Sequence, residues 1–278
     1  SNRGGCNRLP LRGVLSRASR LASRTSGPGS GRTLLPGRTE PLFGRASEAS
    51  PVLSAELHCH SALSHDGRDP VERILEQAAA VGLDVLAVTD HDAIEASLRA
   101  VELAPDYDLI GVPGLEVTTR EGHILALGVR EVVPAGLPYG ETLDRIRALG
   151  GIAVIPHPFQ KSRSGVGVNV SDAELAEADA IEVYNSRLLT GRGNRRARRF
   201  AEAHDMPMIA GSDAHIAEMV GQAVTLVDPD QPTAAGIVEA VRDGRTEPAG
   251  KRTPWRISFR QAAGGAKRRV LARLEEYL

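Results

Sequence analysis

Cysteine is almost missing from this 278-residue sequence: Cys6 and Cys59 are the only two. Two thiols build no disulfide framework and fit a reducing compartment. They also exclude a structural zinc site made from several thiolates. No apolar run approaches the roughly 20 residues needed to span a bilayer. The G-x-S-x-G elbow, the Walker loop and the G-x-G-x-x-G turn are absent too. Serine-hydrolase, P-loop and dinucleotide-binding chemistries therefore have no signature here.

Charge is small in sum and uneven along the chain. The net value is −1, yet residues 1–50 hold nine arginines against Glu40 and Glu48, a local +7, which leaves −8 for the remainder. An acidic body is a poor non-specific nucleic-acid binder, although a local basic patch still recruits phosphates. The first fifty residues are rich in Arg, Ser, Gly and Pro and read as a disordered extension. An organelle transit peptide, an over-extended reading frame or an engineered leader accounts for them, and a basic RNA-binding tail fits less well because Lys and aromatics are scarce. A cytoplasmic location is expected, with organelle targeting if the leader is genuine.

From Ser54 onward short apolar runs alternate with helical patterns. Strands are expected at 56–58, 85–89, 109–112, 124–127, 152–155, 180–183, 208–210 and 223–227. Helices are expected at 70–82, 93–103, 139–150, 171–177, 190–204 and 233–243. Asp69-Pro70-Val71-Glu72, Asp92-Ala93-Ile94-Glu95 and Ser171-Asp172-Ala173-Glu174 read as helix starts with capping residues. Such alternation implies an α/β domain over 51–248 with a largely parallel sheet, open or closed into a barrel. Residues 249–278 read as a basic extension with a helix near 259–277.

Six of the eight histidines sit with carboxylates at the ends of these strands, where such folds place their active sites. His58-Cys59-His60 and Asp213-Ala214-His215 are i, i+2 pairs, so on a strand both members face one side. Either pair alone is read as two satisfied polar groups; two pairs at different strand ends point to a metal centre. Asp66, before Gly67, is either a turn residue or a ligand to a second cation, and the neighbouring His65 is the weaker ligand candidate. His91 ends a hydrophobic strand and is the ligand candidate of its run. There Asp92 reads as a helix cap and Asp90 as a group orienting an imidazole or a plain strand-end polar residue.

Glu116 follows an apolar strand, where a carboxylate is costly unless paired or metal-bound, and its two oxygens suit a bridge between ions. His123 opens the next strand and His157 closes the one after, each alone reading as structural, and Glu182 is read as a supporting or ion-paired group outside the ligand set. Imidazole with carboxylate suits Mn²⁺, Zn²⁺ or Fe²⁺ better than Ca²⁺ or Mg²⁺. Near the candidate centre, Lys161, Arg163 and Arg187 are phosphate-holding candidates, each against a default of solvated surface charge. Arg192, Arg195, Arg196, Arg198 and Arg199 stud one helix and read as a solvated face able to attract a polyanion.

The stretches LHCHSALSHDG, VLAVTDHD, GLEVTT with HILALG, IPHP and GSDAH, in this order over residues 55–228, resemble the PHP (polymerase and histidinol phosphatase) family of phosphoesterases. The similarity is greatest to the stand-alone members acting on nucleotides and RNA ends. It implies an irregular (β/α)₇ TIM-like barrel with two or three divalent cations at the strand ends. By position it implies one site of His58, His60, Glu116 and Asp213, a second of Asp66, His91 and His215, and a third of Glu116, His157 and His123. Asp66, His91, Glu116 and Asp213 would carry the catalysis. The implied reaction is hydrolysis of a phosphomonoester by metal-activated water. Its substrate would be a nucleotide, such as a 3′,5′-bisphosphate, or the 5′ end of short RNA or DNA. A histidinol-phosphate phosphatase and a non-catalytic PHP scaffold are the rival readings.

Overall fold

The computed structural model describes residues 51–188 and 191–251. The arginine-rich leader and the helix expected near 259–277 lie outside them. In chain order the described elements are β1 (Leu53–Cys59), α1 (Val71–Ala80), β2 (Val85–Val88), α2 (Glu95–Leu103), β3 (Ile110–Gly111), β4 (Gly114–Thr118), β5 (His123–Leu127), α3 (Tyr139–Ala148), β6 (Ile152–Ile155), α4 (Asp172–Leu175), β7 (Ala180–Asn185), α5 (Arg192–Ala203), β8 (Met208–Gly211), β9 (Ala223–Val227), α6 (Ala234–Arg242) and β10 (Thr246–Gly250). No described helix is long and apolar enough to cross a membrane.

Every helix expected within the described residues is present within a few residues of its expected limits, but two caps differ. Asp69 does not cap α1: its carboxylate accepts the backbone N–H of Ala217 at 2.7 Å. Asp92 does not cap α2 either. It has φ 52° and accepts the Thr118 N–H at 2.7 Å, and the helix starts at Glu95. In both cases a longer-range amide competes for the acid. Ser171 and Glu174 do form the expected capping box.

The strands form two five-stranded sheets, ordered β10-β9-β1-β2-β3 and β4-β5-β6-β7-β8. This corrects two expectations, the largely parallel sheet and the closed barrel. Pairing is parallel in β1-β2-β3 and in β6-β7-β8, and antiparallel elsewhere. β4 and β10 are additional strands, and β10 runs past residue 248. The turn between β4 and β5 is too short for a crossover, so that pair must be antiparallel. There the Thr119 hydroxyl accepts the amides of Glu121 and Gly122, both at 3.1 Å.

The two sheets meet through single parallel bridges, Cys59 to Ala214 and His91 to Glu116. Side chains replace a backbone ladder between β8 and β9: the Thr225 hydroxyl accepts the N–H of Ala210 and donates to its carbonyl, each at 2.9 Å. Nearby, Glu56 accepts the amides of Ser212 at 2.9 Å and Gly221 at 3.1 Å. Once side chains take those backbone groups, the edges have no reason to close into one continuous sheet.

Alternate strand residues serve different layers, as a period of two requires. In β2, Val85 and Ala87 join an apolar cluster drawn from both sheets, with Leu125, Val154 and Ile209. Leu86 and Val88 pack instead on Ile74 and Leu75 of α1 and Ala100 of α2. A third cluster holds α3 and α5 against the other sheet, through Leu143, Ile146 and Phe200 on Ile155 and Ile181.

Gly111 permits the close approach of α2, since a Cβ there would lie 2.6 Å from Val101 Cα. Gly111→Ala is expected to lower unfolding free energy by about 1–3 kcal/mol, the usual cost of overpacking. Urea denaturation followed by far-UV circular dichroism measures it. An unchanged midpoint would show that α2 is free to retreat.

Candidate metal centre

Strand ends gather the ionisable side chains at one side of the molecule. β1 delivers His58 and ends just before His60; β2 leads into Asp90 and His91; β6 leads into His157, and β8 into Asp213 and His215. The β4–β5 hairpin brings Glu116 and His123 into the same space. Its two strands run antiparallel, with Thr118 opposite His123. His157 and Asp213 both take left-handed backbone, at φ 31° and 51°. Such conformations are strained for side-chain-bearing residues and cluster at functional sites.

Glu116 is the hub. Its Oε2 lies 3.3 Å from His58 Nε2, 3.1 Å from His60 Nε2 and 3.6 Å from His91 Nδ1. Its Oε1 lies 2.9 Å from His123 Nδ1 and 3.4 Å from His157 Nε2. The side chain is 1 % exposed. Asp66 pairs with His215 Nε2 and lies 3.9 Å from His91 Nε2. Asp213 Oδ1 is 3.3 Å from His215 Nδ1, 3.8 Å from His60 Nε2 and 4.0 Å from His58 Nε2.

All nine residues expected as ligands therefore converge. They fall into four overlapping groups: His60, Asp66, His91 and His215; His58, His60 and Asp213; His58, Glu116 and His157; His91, Glu116 and His123. Glu116, common to the expected first and third sites, is shared by two of these groups. His157 groups with His58, and His123 with His91, because Glu116 Oε1 lies between their rings, whose centroids are 6.1 Å apart.

The residues fit divalent cations on two independent grounds. Six imidazoles and three carboxylates form a donor set suited to Zn²⁺, Mn²⁺ or Fe²⁺. Several of their buried polar atoms also lack a hydrogen-bond partner among the described residues: Nδ1 of His60, of His91 and of His157. Buried polar atoms without partners are costly unless an ion or water satisfies them.

Electrostatics sort the imidazoles. Burial pulls His60, His91 and His215 down, His91 to about 4, which favours the neutral form that ligates metals. Burial also opposes the charged form of His58 and His123, but neighbouring carboxylates outweigh it and raise both: Glu182 and Glu116 for His58, Glu116 for His123. Burial alone would raise Glu116, but the His58 charge and hydrogen bonds from His123, His157 and His58 hold it well below the carboxylate range. Burial likewise works against Asp213, and the Arg187 and Arg163 charges hold it low. Ligation needs the neutral imidazole, so cation binding here would compete with protonation of His58 and His123.

Around the cluster opens a cleft of about 520 Å³. Every lining residue is polar or charged, including Arg163, Arg187, Thr118, Ser162 and Ser164. Arg163 donates to Asp213 Oδ2 at 2.8 Å and Arg187 to Oδ1 at 3.0 Å. Lys161, expected beside them, is exposed and outside the lining. It opens the single turn Lys161–Arg163, which turns Arg163 inward and leaves Lys161 in solvent. His65 lies at the rim with its ring 5.0 Å from that of His91.

Three acids support the cluster; Glu182 and Asp90 were readable as candidates in the sequence, and Glu56 was not. Glu182 takes His58 Nδ1 at 3.0 Å, the His157 N–H at 2.9 Å and Asn185 Nδ2 at 2.9 Å. Asp90 accepts the Ser61 amide at 2.6 Å and the Ser61 hydroxyl. Burial raises the Glu56 carboxyl to about 7 despite its hydrogen bonds from Ser212, Gly221 and His58. The only hint of Glu56 was its period-two spacing with His58 and His60. Gly211 makes room for the His58–Glu182 pair, since a Cβ there would sit 2.5 Å from Glu182 Oε1.

A solvent-reachable cluster of nitrogen and carboxylate donors at the strand ends of an α/β fold defines a metal-dependent hydrolase architecture. The sequence matches the PHP domain model over residues 56–149 and the PHP-associated model over 191–246. It is 33% identical over 144 residues to an uncharacterized protein of Methanocaldococcus jannaschii, covering 48% of this chain and 82% of that one. It is 42% identical over 100 residues to the phosphoribosyl 1,2-cyclic phosphate 1,2-diphosphodiesterase of Eggerthella lenta, covering 34% and 38%. A two-domain protein of Bacteroides vulgatus containing a predicted PHP-like metal-dependent phosphoesterase shares the fold. Its TM-score is 0.62 at 21% identity over 73% of this chain and 66% of that one. The chain belongs to the PHP family of metal-dependent phosphoesterases.

Glu182→Gln tests how the cluster is held. Both Glu182 oxygens face donors, so an amide NH₂ must oppose either His58 or the His157 and Asn185 pair. Affinity for Mn²⁺ is expected to fall roughly 10–100-fold, as when a ligand's supporting partner is lost. Calorimetric titration of metal-stripped protein measures this, and undiminished affinity would show that Glu182 does not position His58.

Proposed function

We propose that this protein hydrolyses a phosphomonoester on a nucleotide or at the 5′ end of a short oligonucleotide, with two or three divalent cations of Mn²⁺, Zn²⁺ or Fe²⁺ held by the nine cluster residues. The observation that carries the reading is the pair Arg163 and Arg187, both anchored on Asp213 at the wall of a cleft with no apolar lining residue. Such a cleft grips a substrate by its charge. A volume near 520 Å³ falls within the usual range for small-ligand sites.

When bound, divalent cations supply Lewis acidity and lower the pKa of water. The chain's own residues supply the rest. Arg163 spends one donor on Asp213 and offers its other N–H groups to non-bridging phosphate oxygens, while Arg187, bonded to Asp213 and facing His215 at 3.0 Å, adds positive charge to the same wall. Asp213 fixes where those guanidiniums sit. Glu182 holds the His58 ring, and Asp90 ties the chain after β1 to the end of β2. The cluster is pre-organised by these bonds, so little reorganisation is needed when charge develops on the substrate.

A cyclic phosphodiester of ribose is a second reading, supported by the Eggerthella lenta relative, whose substrate combines a sugar with a bridging phosphate. Phosphate release and product chromatography with Mn²⁺ separate the options. The substrates are nucleoside monophosphates, 3′,5′-bisphosphates, 5′-phosphorylated RNA, a ribose cyclic phosphate and histidinol phosphate. Nucleotides or RNA ends are expected to turn over best. Arg163→Ala is expected to lower kcat/KM by about 10–100-fold, the worth of a charged hydrogen bond, and Asp213→Ala to abolish turnover. Activity on histidinol phosphate alone, or none on any ester with metal bound, defeats the proposal.

A further inference from the structure

The helix beside the metal cleft carries an arrangement that the hydrolytic site does not use. α5 presents Arg192, Arg195, Arg196 and Arg199 at i, i+3, i+4 and i+7, which places them on one face of a helix. All four are exposed, as is Arg198. No Asp or Glu occurs between Asn185 and Glu202. None of the five arginines pairs with a carboxylate among the described residues. Some surface arginines do pair, Arg73 with Glu76, Arg99 with Glu72 and Glu102, Arg147 with Asp179, and Arg245 with Asp230 and Asp243; Arg120, Arg130, Arg145 and Arg242 do not, but they are scattered singly, whereas the α5 five lie together on one helix.

Helix stability does not explain the stripe. Like charges three and four residues apart repel, and cations in a first turn oppose the helix dipole. The first turn of α5 holds no acid. A helix kept for its own sake would carry interleaved glutamates.

The stripe is also registered to the metal centre by direct bonds. Asn194 exchanges hydrogen bonds with the Asn185 backbone, at 3.2 Å and 3.0 Å, and Asn185 Nδ2 reaches Asp213 Oδ2 at 3.4 Å. A Cβ on Gly193 would lie 3.2 Å from Leu188 and 3.3 Å from Gln160, so the first turn touches both loops that carry the cleft arginines. The Arg196 guanidinium stacks on Phe159, 3.9 Å from the ring centre, in the loop between His157 and Arg163. The positive charge of Arg163 and Arg187 thus continues onto α5.

The geometry points to the α5 arginine stripe as a binding track for the phosphate backbone of single-stranded nucleic acid whose terminal phosphate occupies the metal cleft. This deepens the reading of the protein as a nucleotide or RNA-end phosphoesterase and rests on it for the occupant of the cleft. From Arg192 to Arg199 the helix rises about 10 Å, which spans about three phosphates of a stacked strand. Exposed, unpaired guanidiniums suit a repeating anion without base specificity.

The test replaces Arg192, Arg195 and Arg199 with glutamine in the full chain and leaves Arg196 on Phe159. Binding of a short, 5′-phosphorylated, phosphorothioate-linked single strand is read by anisotropy across a salt series. A control carries Arg73→Gln, Arg99→Gln and Arg145→Gln, the same change in net charge elsewhere. The α5 variant is expected to bind roughly tenfold or more weakly, with the slope of log K against log salt reduced by about 2. Its turnover of nucleoside monophosphates should be unchanged, and the control should behave as wild type. Equal loss in the control, or undiminished affinity in the α5 variant, overturns the track. So does loss of binding to phosphatidylserine vesicles with oligonucleotide affinity intact, which would assign the stripe to a membrane surface. If stripe-dependent binding is present but no ester is hydrolysed, the catalytic reading fails and the track stands.

Discussion

A carboxylate without water needs positive charge beside it, and Glu116 is that carboxylate. It is buried among five imidazoles, each with a ring nitrogen within 3.6 Å of one of its oxygens. Burying an ionised acid unpaired would be prohibitive, so the architecture around it is a means of bringing compensating groups to one point. The two sheets meet there: one bridge between them is the pair His91 and Glu116, and the backbone of Asp92 donates to the Glu116 carbonyl at 2.9 Å. The acid that collects the imidazoles is also a seam of the fold.

The opposite seam repeats the arrangement with different parts. Asp213 donates its amide to the His58 carbonyl at 2.9 Å, and His60 donates to the Ala214 carbonyl at 2.7 Å. The Asp213 side chain meanwhile receives Arg163 and Arg187. Fold and site share these residues, so a substitution that disturbs one disturbs the other. The left-handed backbone at His157 and Asp213 belongs to the same economy. Each such residue costs about 1 kcal/mol or more, and each occurs where a strand must end abruptly to aim a ligand.

Much of this was legible along the chain. The helices at 70–82 and 139–150 rest on strong apolar periodicity, and the Ser171 box on local hydrogen bonding, and all three are present. The two i, i+2 pairs at different strand ends pointed to a metal centre, but the full set of nine ligand candidates came from the resemblance to the PHP family. What failed was whatever depended on a distant partner. Asp69 and Asp92 look like caps in sequence and instead accept amides from Ala217 and Thr118. Glu182 was readable as a supporting group, but not which donors it takes, and three from different segments converge on it. Lys161 and Arg163 look equivalent in sequence; one tight turn separates a solvated charge from a cleft residue.

Local chemistry was enough to specify the helices and eight of the ten strands among the described residues, and which residue types can ligate a cation. Each follows from a residue's own side chain and its near neighbours. Tertiary structure alone decided that the strands form two mixed sheets joined at ligand-bearing seams, that His123 and His157 fall into separate groups around Glu116, and that the α5 arginines adjoin the cleft. Those outcomes depend on which backbone and side-chain groups meet across large sequence separations. The pattern of a single segment does not encode its partner.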